Sequence, residues 1–280
     1  TLTVSILDGS SDDDFDAVAD RTVSVTTTDD DVAGFAIAET DGSTSVAESG
    51  NTDTFTVVLN AEPDSDVVFS ISSGDTGEAT VTSAVTFTSG NWDTPQTVTV
   101  TGADDDIIDG TISTTVAVAI NDGASDNNFD DLSPQSVSVT IADDDTAGFT
   151  VVQSGGTTGV AESGTTDTFT VVLNSEPTAN VTLTLSDNDS SEVLYPSSVG
   201  FSTGNWSTAQ TVTLTGKDDY VDDGNQNTLL TLTPSSGDGN YNSPGLAAQT
   251  VTVTTTDNDS AGFSLSKTTP SVAAAGSEDT

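Results

Sequence analysis

The sequence predicts an all-β fold, built as tandem antiparallel seven-stranded β-sandwiches, and three observations carry that prediction. Polar and apolar residues alternate with a period of two along most of the 280 residues, and no helical periodicity appears. About seven such runs recur in each stretch of roughly 110 residues, separated by clusters of Asp, Gly, Asn and Pro, which is the pattern of a sandwich. The phrase DDDVAGF at Asp29–Phe35 returns as DDDTAGF at Asp143–Phe149 and as DNDSAGF at Asp257–Phe263. Gly34, Gly148 and Gly262 therefore lie 114 residues apart (148 − 34 and 262 − 148). A fixed period of that size marks tandem domains rather than short solenoid turns.

The period divides the chain into four parts. Residues 1–33 align without a gap on 115–147 and read as the C-terminal part of a truncated repeat. Residues 34–147 and 148–261 are two whole repeats, and 262–280 begin the next. The expectation is a segment of a longer array, extended as a rod.

Within a repeat the elements follow in order. Gly34-Phe35 and Gly148-Phe149 open the first strand, the glycine allowing close approach and the phenylalanine anchoring it. Val46-Ala47 and Val160-Ala161 belong to an early strand that Glu48 or Glu162 closes. Thr54-Phe55-Thr56-Val57-Val58-Leu59 recurs at Thr168–Leu173; Thr on a wet face and Phe, Val and Leu on a packed one suit a pleated sheet. Gly-Asn-Trp at 90–92 and 204–206 leads into the strand Gln96–Thr101 or Gln210–Thr215. A tryptophan there could serve as a stacking platform for sugar, but an identical position in consecutive repeats is what core packing requires, and core is the reading adopted. Asp109-Gly110, Asp122-Gly123 and Asp223-Gly224 carry ordinary turn chemistry. The last strand is Ser136–Thr140, matched by Thr22–Thr26 and Thr250–Thr254.

Charge narrows the function. The chain has 45 acids against 3 bases, a formal net charge of −42. Acidic partners, nucleic acid and anionic membranes among them, are disfavoured. No apolar run approaches the roughly 18 residues of a membrane helix, so membrane insertion is not expected either. Cys, Met and His are all absent, which excludes disulfides, zinc–thiolate sites and the commonest catalytic bases and nucleophile pairs. A carboxylate pair could support glycoside hydrolysis, but acids copied in every repeat point to a structural role, and no enzyme is expected.

Of the 45 acids, 37 are Asp and eight are Glu. A merely solubilising surface could use either; so strong a bias to the short carboxylate fits turns or hard-cation coordination from loops. The acids are also gathered. The first repeat concentrates them at Glu48, Asp75, Asp104, Asp105, Asp106, Asp109, Asp143, Asp144 and Asp145. Shifted by 114, the second offers Glu162, Asp189, Asp218, Asp219, Asp223, Asp257 and Asp259, and the truncated repeat ends in Asp29, Asp30 and Asp31. Alternate loops of a sandwich converge on one end. Two unit charges about 4 Å apart repel by roughly 4 kcal/mol at an effective dielectric of 20, and several such pairs would consume a domain stability of about 5–15 kcal/mol. The chain supplies almost no positive charge, so a bound cation is expected, and Ca2+ is the natural one because it takes 6–8 oxygens in flexible geometry.

These residues resemble a known family. Val-Ala-Glu-Ser-Gly, a strand, a Ser-Gly-Asp turn, a strand followed by Gly-x-Asp-Asp, and a terminal strand ending in Asp-Asp-Asp are similar to the Calx-beta domain. That family is named for regulatory domains of sodium–calcium exchangers, with relatives in tandem arrays of large bacterial surface proteins. The resemblance implies an Ig-like sandwich with calcium at one end, held by the early-strand Glu, mid-domain loop acids and the terminal run listed above. Departures exist: Asp106 becomes Tyr220, Asp144 becomes Asn258, Gly74-Asp75-Thr76 becomes Asn188-Asp189-Ser190, and Ala274 stands where Glu48 would be in the last repeat.

The expected function is a calcium-rigidified spacer of a secreted adhesin, cell-surface fibre or matrix protein, each repeat's partners being its neighbours in the chain. The alternative is a module that contacts polysaccharide or identical chains, with homotypic fibre contacts through Thr- and Val-rich edge strands.

Overall fold

The structure is a computed structural model that describes residues 1–265; the expectation for Ala274 and the rest of 266–280 lies outside the described residues. A two-stranded hairpin comes first, β1 (Leu2–Val4) with β2 (Arg21–Val23). The first whole repeat follows as β3 (Phe35–Glu39), β4 (Thr44–Ala47), β5 (Thr52–Leu59), β6 (Val67–Ser73), β7 (Ala79–Val81), β8 (Ala84–Phe87), β9 (Gln96–Gly102), β10 (Ile112–Ile120) and β11 (Gln135–Ala142). The second repeats the plan: β12 (Phe149–Gln153), β13 (Thr158–Ala161), β14 (Thr166–Leu173), β15 (Val181–Ser186), β16 (Val193–Leu194), β17 (Ser198–Phe201), β18 (Gln210–Gly216), β19 (Gln226–Ser236) and β20 (Gln249–Thr256).

Each repeat stacks a four-stranded sheet on a five-stranded one. The orders are β3-β5-β9-β7 and β4-β11-β10-β6-β8, then β12-β14-β18-β16 and β13-β20-β19-β15-β17. The strand segments number nine rather than seven because two of the seven runs change sheet midway. β3 passes to β4 across a turn in which Asp41 and Gly42 adopt positive φ, and β7 passes to β8 across Thr82-Ser83. Splitting a strand lets one run satisfy the edges of both sheets. One pairing in each repeat departs from the antiparallel plan: β4 runs parallel to β11 and β13 parallel to β20.

Alternation sorts side chains as the sequence implies. In β5, Phe55, Val57 and Leu59 are buried while Thr54, Thr56 and Val58 are only partly so. One hydrophobic cluster draws on Phe35 through Ile141 and a second on Phe149 through Val253, each within one repeat, and the partly buried Trp92 and Trp206 pack against them. Phe69 forms the centre of an aromatic trio, edge-on to Phe35 at 4.9 Å and to Phe87 at 5.7 Å between ring centroids. The opening glycines behave as expected: the Gly34 carbonyl accepts from the Asn60 N–H, and an added Cβ would meet the Asn60 amide at 2.9 Å. Register repeats too, with Leu2 opposite Val23 and Val116 opposite Val137.

Candidate metal centre

Backbone pairing brings four separated segments of the first repeat to one end of the sandwich. Because β4 runs parallel to β11, the residue that follows β4 lies beside the residue that follows β11. Glu48 thus donates its N–H to the Ala142 carbonyl (3.1 Å) and lies next to the run Asp143–Asp145. Glu78, just before β7, is tied to the loop after β9 by the Ala103 N–H on its carbonyl (2.8 Å). That loop is folded by Asp105, whose Oδ1 accepts from Ile107 N–H (2.7 Å). Its far end is clamped onto the terminal run: Gly110, at φ +77, directs its N–H to Asp143 Oδ2 (2.7 Å), a conformation that favours glycine. Asp143 Oδ1 also accepts from the Asp145 N–H (2.8 Å).

Two carboxylate triads result, both containing Glu48. Glu48, Glu78 and Asp109 form one, and Glu48, Asp143 and Asp145 form the other, with one oxygen of each residue within 4.8 Å of its partners. Glu48 is 1% exposed, and neither of its carboxylate oxygens has a hydrogen-bond partner; the same holds for the buried Oε2 of Glu78. Burial, with the charges of Asp143, Asp105, Asp109 and Glu78, pushes the Glu48 carboxyl up to about 7. Asp145 is pushed up to about 6 by burial and then by Asp106 and Asp143, and burial raises Glu78 and Asp109 as well. In each of these groups burial is the largest cause, and neighbouring carboxylates add to it.

Asp104 and Asp106 are exposed and Asp144 likewise flanks the cluster; Asp104, Asp106 and Asp144 enter neither triad. Asp75 is exposed, and its Oδ1 accepts from the Gly77 N–H (3.0 Å), holding the turn that presents Glu78. The sequence reading names Asp75 and does not name Glu78. The usable signal was the same 114-residue shift, since Glu78 recurs as Glu192.

In the second repeat Glu162, Asp257 and Asp259 form the corresponding triad. The loop clamp is reproduced, with Gly224 N–H on Asp257 Oδ2 and Asp259 N–H on Asp257 Oδ1, both at 2.7 Å. Those hydrogen bonds hold Asp257 below the usual carboxylate range. Asp259, its Oδ2 buried and unpartnered, is raised by burial and by Asp218. Glu162 differs from Glu48 in accepting the Asn258 N–H on Oε2 (3.1 Å); burial and Asp257 nevertheless leave its carboxyl raised. Glu192 is 2% exposed with Oε2 unpartnered. Asp189 caps its own turn by accepting from Ser191, which lowers it. Asp219 Oδ1 accepts from the Val221 N–H (2.8 Å), and Asp218, Asp219, Asp189 and Asp223 join no triad among the described residues. Neither do Asp29, Asp30 and Asp31. Asp29 and Asp31 line a cavity of about 390 Å³ with Ala61, Glu62, Asn128 and Phe129.

The donor set fits a hard cation. It is oxygen only, with orphaned buried carboxylate oxygens in the cluster of each repeat, and calcium is the ion whose flexible 6–8-fold oxygen coordination such loops suit. The site also abuts the next repeat. Asp106, on the same loop as Asp105 and Asp109, accepts the Glu176 N–H on its carbonyl (2.6 Å), and Asn240 Nδ2 reaches the Ile108 carbonyl (3.4 Å).

No family model matches the chain, and no curated protein matches it. Among solved structures it is similar to the calcium binding domain CBD12 of CALX1.1, at 13% identity over 71% of this chain and 80% of that one, with a TM-score of 0.32. CBD12 from CALX1.2 overlaps at 12% identity, covering 78% and 99%, with a TM-score of 0.30. Domains 4–9 of the surface layer protein SbsC overlap at 20% identity, covering 86% and 34%, with a TM-score of 0.29. Similarity at this level transfers no binding property to this chain.

Proposed function

We propose that this region is a calcium-rigidified spacer within an extracellular adhesin, cell-surface fibre or matrix protein, and that it performs no catalysis. One observation carries the reading: Glu48 is buried with both oxygens unpartnered, amid four further carboxylates drawn from three other segments. A group so placed costs several kcal/mol unless a cation accompanies it. Glu48, Glu78, Asp109, Asp143 and Asp145 would hold the ion in the first repeat; Glu162, Asp257 and Asp259 would do so in the second. A divalent cation bound there supplies the positive charge that the chain lacks. The residues do the mechanical work. Glu48 ties the end of β4, Glu78 the start of β7, Asp109 the loop after β9, and Asp143 the end of β11, so neutralising them fixes four segments at once. The loop of Asp105–Asp109 also carries the carbonyls that meet Glu176 and Asn240, so its ordering stiffens the joint to the next repeat.

Thermal unfolding of the chain in chelator, in magnesium and in rising calcium tests this. A melting temperature that climbs with calcium, and far less with magnesium, is expected; a melt indifferent to both ions overturns the reading. Small-angle scattering should show a narrower, more extended distribution with calcium.

A further inference from the structure

We propose that the two repeats are unequal cation sites: the first takes two ions that share Glu48, and the second takes one, held by Glu162, Asp257 and Asp259. This rests on the cation-binding reading above and specifies its stoichiometry and grading.

The geometry differs first at the shared glutamate. Glu48 belongs to two triads, and both of its oxygens lack a hydrogen-bond partner. Glu162 belongs to one triad, and one of its oxygens accepts the Asn258 N–H. Glu192, the counterpart of Glu78, keeps a buried, unpartnered oxygen but joins no triad with Glu162 among the described residues. Among the described residues Glu162, Glu192 and Asp223 form no triad to match Glu48, Glu78 and Asp109.

Three replacements accompany the difference. Tyr220 stands for Asp106 and Asn258 for Asp144, each withdrawing a carboxylate that flanks the cluster without entering a triad. Tyr220 also takes φ +88, so the loop turns differently from one carrying an ordinary residue there. Lys217 stands where the first repeat has Ala103. Its N–H is bound to the Glu192 carbonyl (2.9 Å), and its Nζ donates to the Ser190 carbonyl (2.8 Å), which plants an ammonium against the turn that presents Glu192. A tethered positive charge there opposes a mobile one. Calcium affinity scales with the carboxylate count and rigidity of the site, so both stoichiometry and affinity should fall from the first repeat to the second. Joints along the array would then lock at different calcium concentrations.

Native mass spectrometry of the whole chain at stepped calcium, paired with calorimetric titration, tests the inequality. Glu48→Gln should remove two ions and Glu162→Gln one, with circular dichroism confirming that each variant is folded. Should Glu48→Gln fail to fold, Asp109→Asn serves instead and should remove one ion from the first repeat. In the Glu48→Gln background, Lys217→Ala combined with Asn258→Asp should tighten the remaining site at least about tenfold. Equal losses from Glu48→Gln and Glu162→Gln, or no tightening when Lys217→Ala and Asn258→Asp are combined, overturn the inequality while leaving the cation reading intact. A chain that takes up no calcium at any concentration overturns both.

Discussion

Replacing Glu48 by Gln should make the metal-free protein more stable at pH 8, which is the reverse of what deleting a polar core group usually does. The Glu48 carboxyl titrates at about 7 in the folded chain against 4.5 ordinarily. A raised acid is bound to its proton more tightly in the native than in the unfolded state, so its favourable contribution is complete below pH 4.5 and is lost as the pH rises through about 7. At about 1.36 kcal/mol per unit, the penalty for the ionised form is of order 3 kcal/mol; water reaching the rim of the acidic loops screens part of it, leaving about 2 kcal/mol. Gln keeps the shape and carries no charge, so that penalty disappears. For a repeat of this size the change corresponds to a rise in melting temperature of roughly 8 °C. The assay is calorimetry in chelator at pH 5.5 and pH 8, wild type beside Glu48→Gln. Wild type should melt lower at pH 8 than at pH 5.5, and the variant should narrow that gap and lose its response to calcium in the first repeat. The reasoning fails if wild type is more stable at pH 8 in chelator, or if Glu48→Gln melts below it there.

Other expectations test the scaffold. Asp126 accepts N–H bonds from Asp64 (2.6 Å), Ser65 (3.1 Å) and Asn128 (2.9 Å), and the bond from Asn128 foremost holds it below the usual range; Asp126→Ala should cost about 2–4 kcal/mol in urea titrations near neutral pH, and the benefit of Asp126 itself should vanish as the pH drops below its normal value of 3.8. A Cβ on Gly102 would run into the Ala47 carbonyl oxygen, and one on Gly216 into that of Ala161, so Gly102→Ala or Gly216→Ala should cost roughly 3 kcal/mol or more and loosen the Glu48 or Glu162 end, read by loss of calcium-induced stabilisation. Phe55→Ala removes a fully buried ring and should cost about 3–5 kcal/mol, with the transition of the second repeat unmoved because its cluster shares no residue with the first.

Much of the sandwich was legible because the physics behind it is local. Alternation of Thr with Val, Phe and Leu decides which face of β5, β9 or β11 is wet, and a strand exposes that choice residue by residue. The 114-residue phrase located equivalent positions, so the burial of Phe35 with Phe149 and of Phe55 with Phe169 could be expected in pairs. Asp75 shows where local reasoning stopped. It has the look of a ligand, a carboxylate in a Ser-Gly-Asp turn; its Oδ1 accepts the Gly77 N–H and shapes the turn before Glu78, and Asp75 joins no triad among the described residues. Glu78, three residues on and preceding a short strand, had no distinguishing mark within its own segment.

The sequence by itself determined that the chain is all-β, that it repeats, that strands end in acids, and that a chain with 45 acids and 3 bases must find positive charge elsewhere. Only the tertiary structure decided which acids meet. That choice depends on β3 crossing to the other sheet and continuing as β4 parallel to β11, which sets Glu48 against Asp143 nearly a hundred residues away, and on Gly110 turning its N–H onto Asp143. It also decided that Glu48 serves two triads and Glu162 one. Identical local motifs diverge there because convergence of charges is a property of distances across the fold, and a distance between segments is written in no one of them.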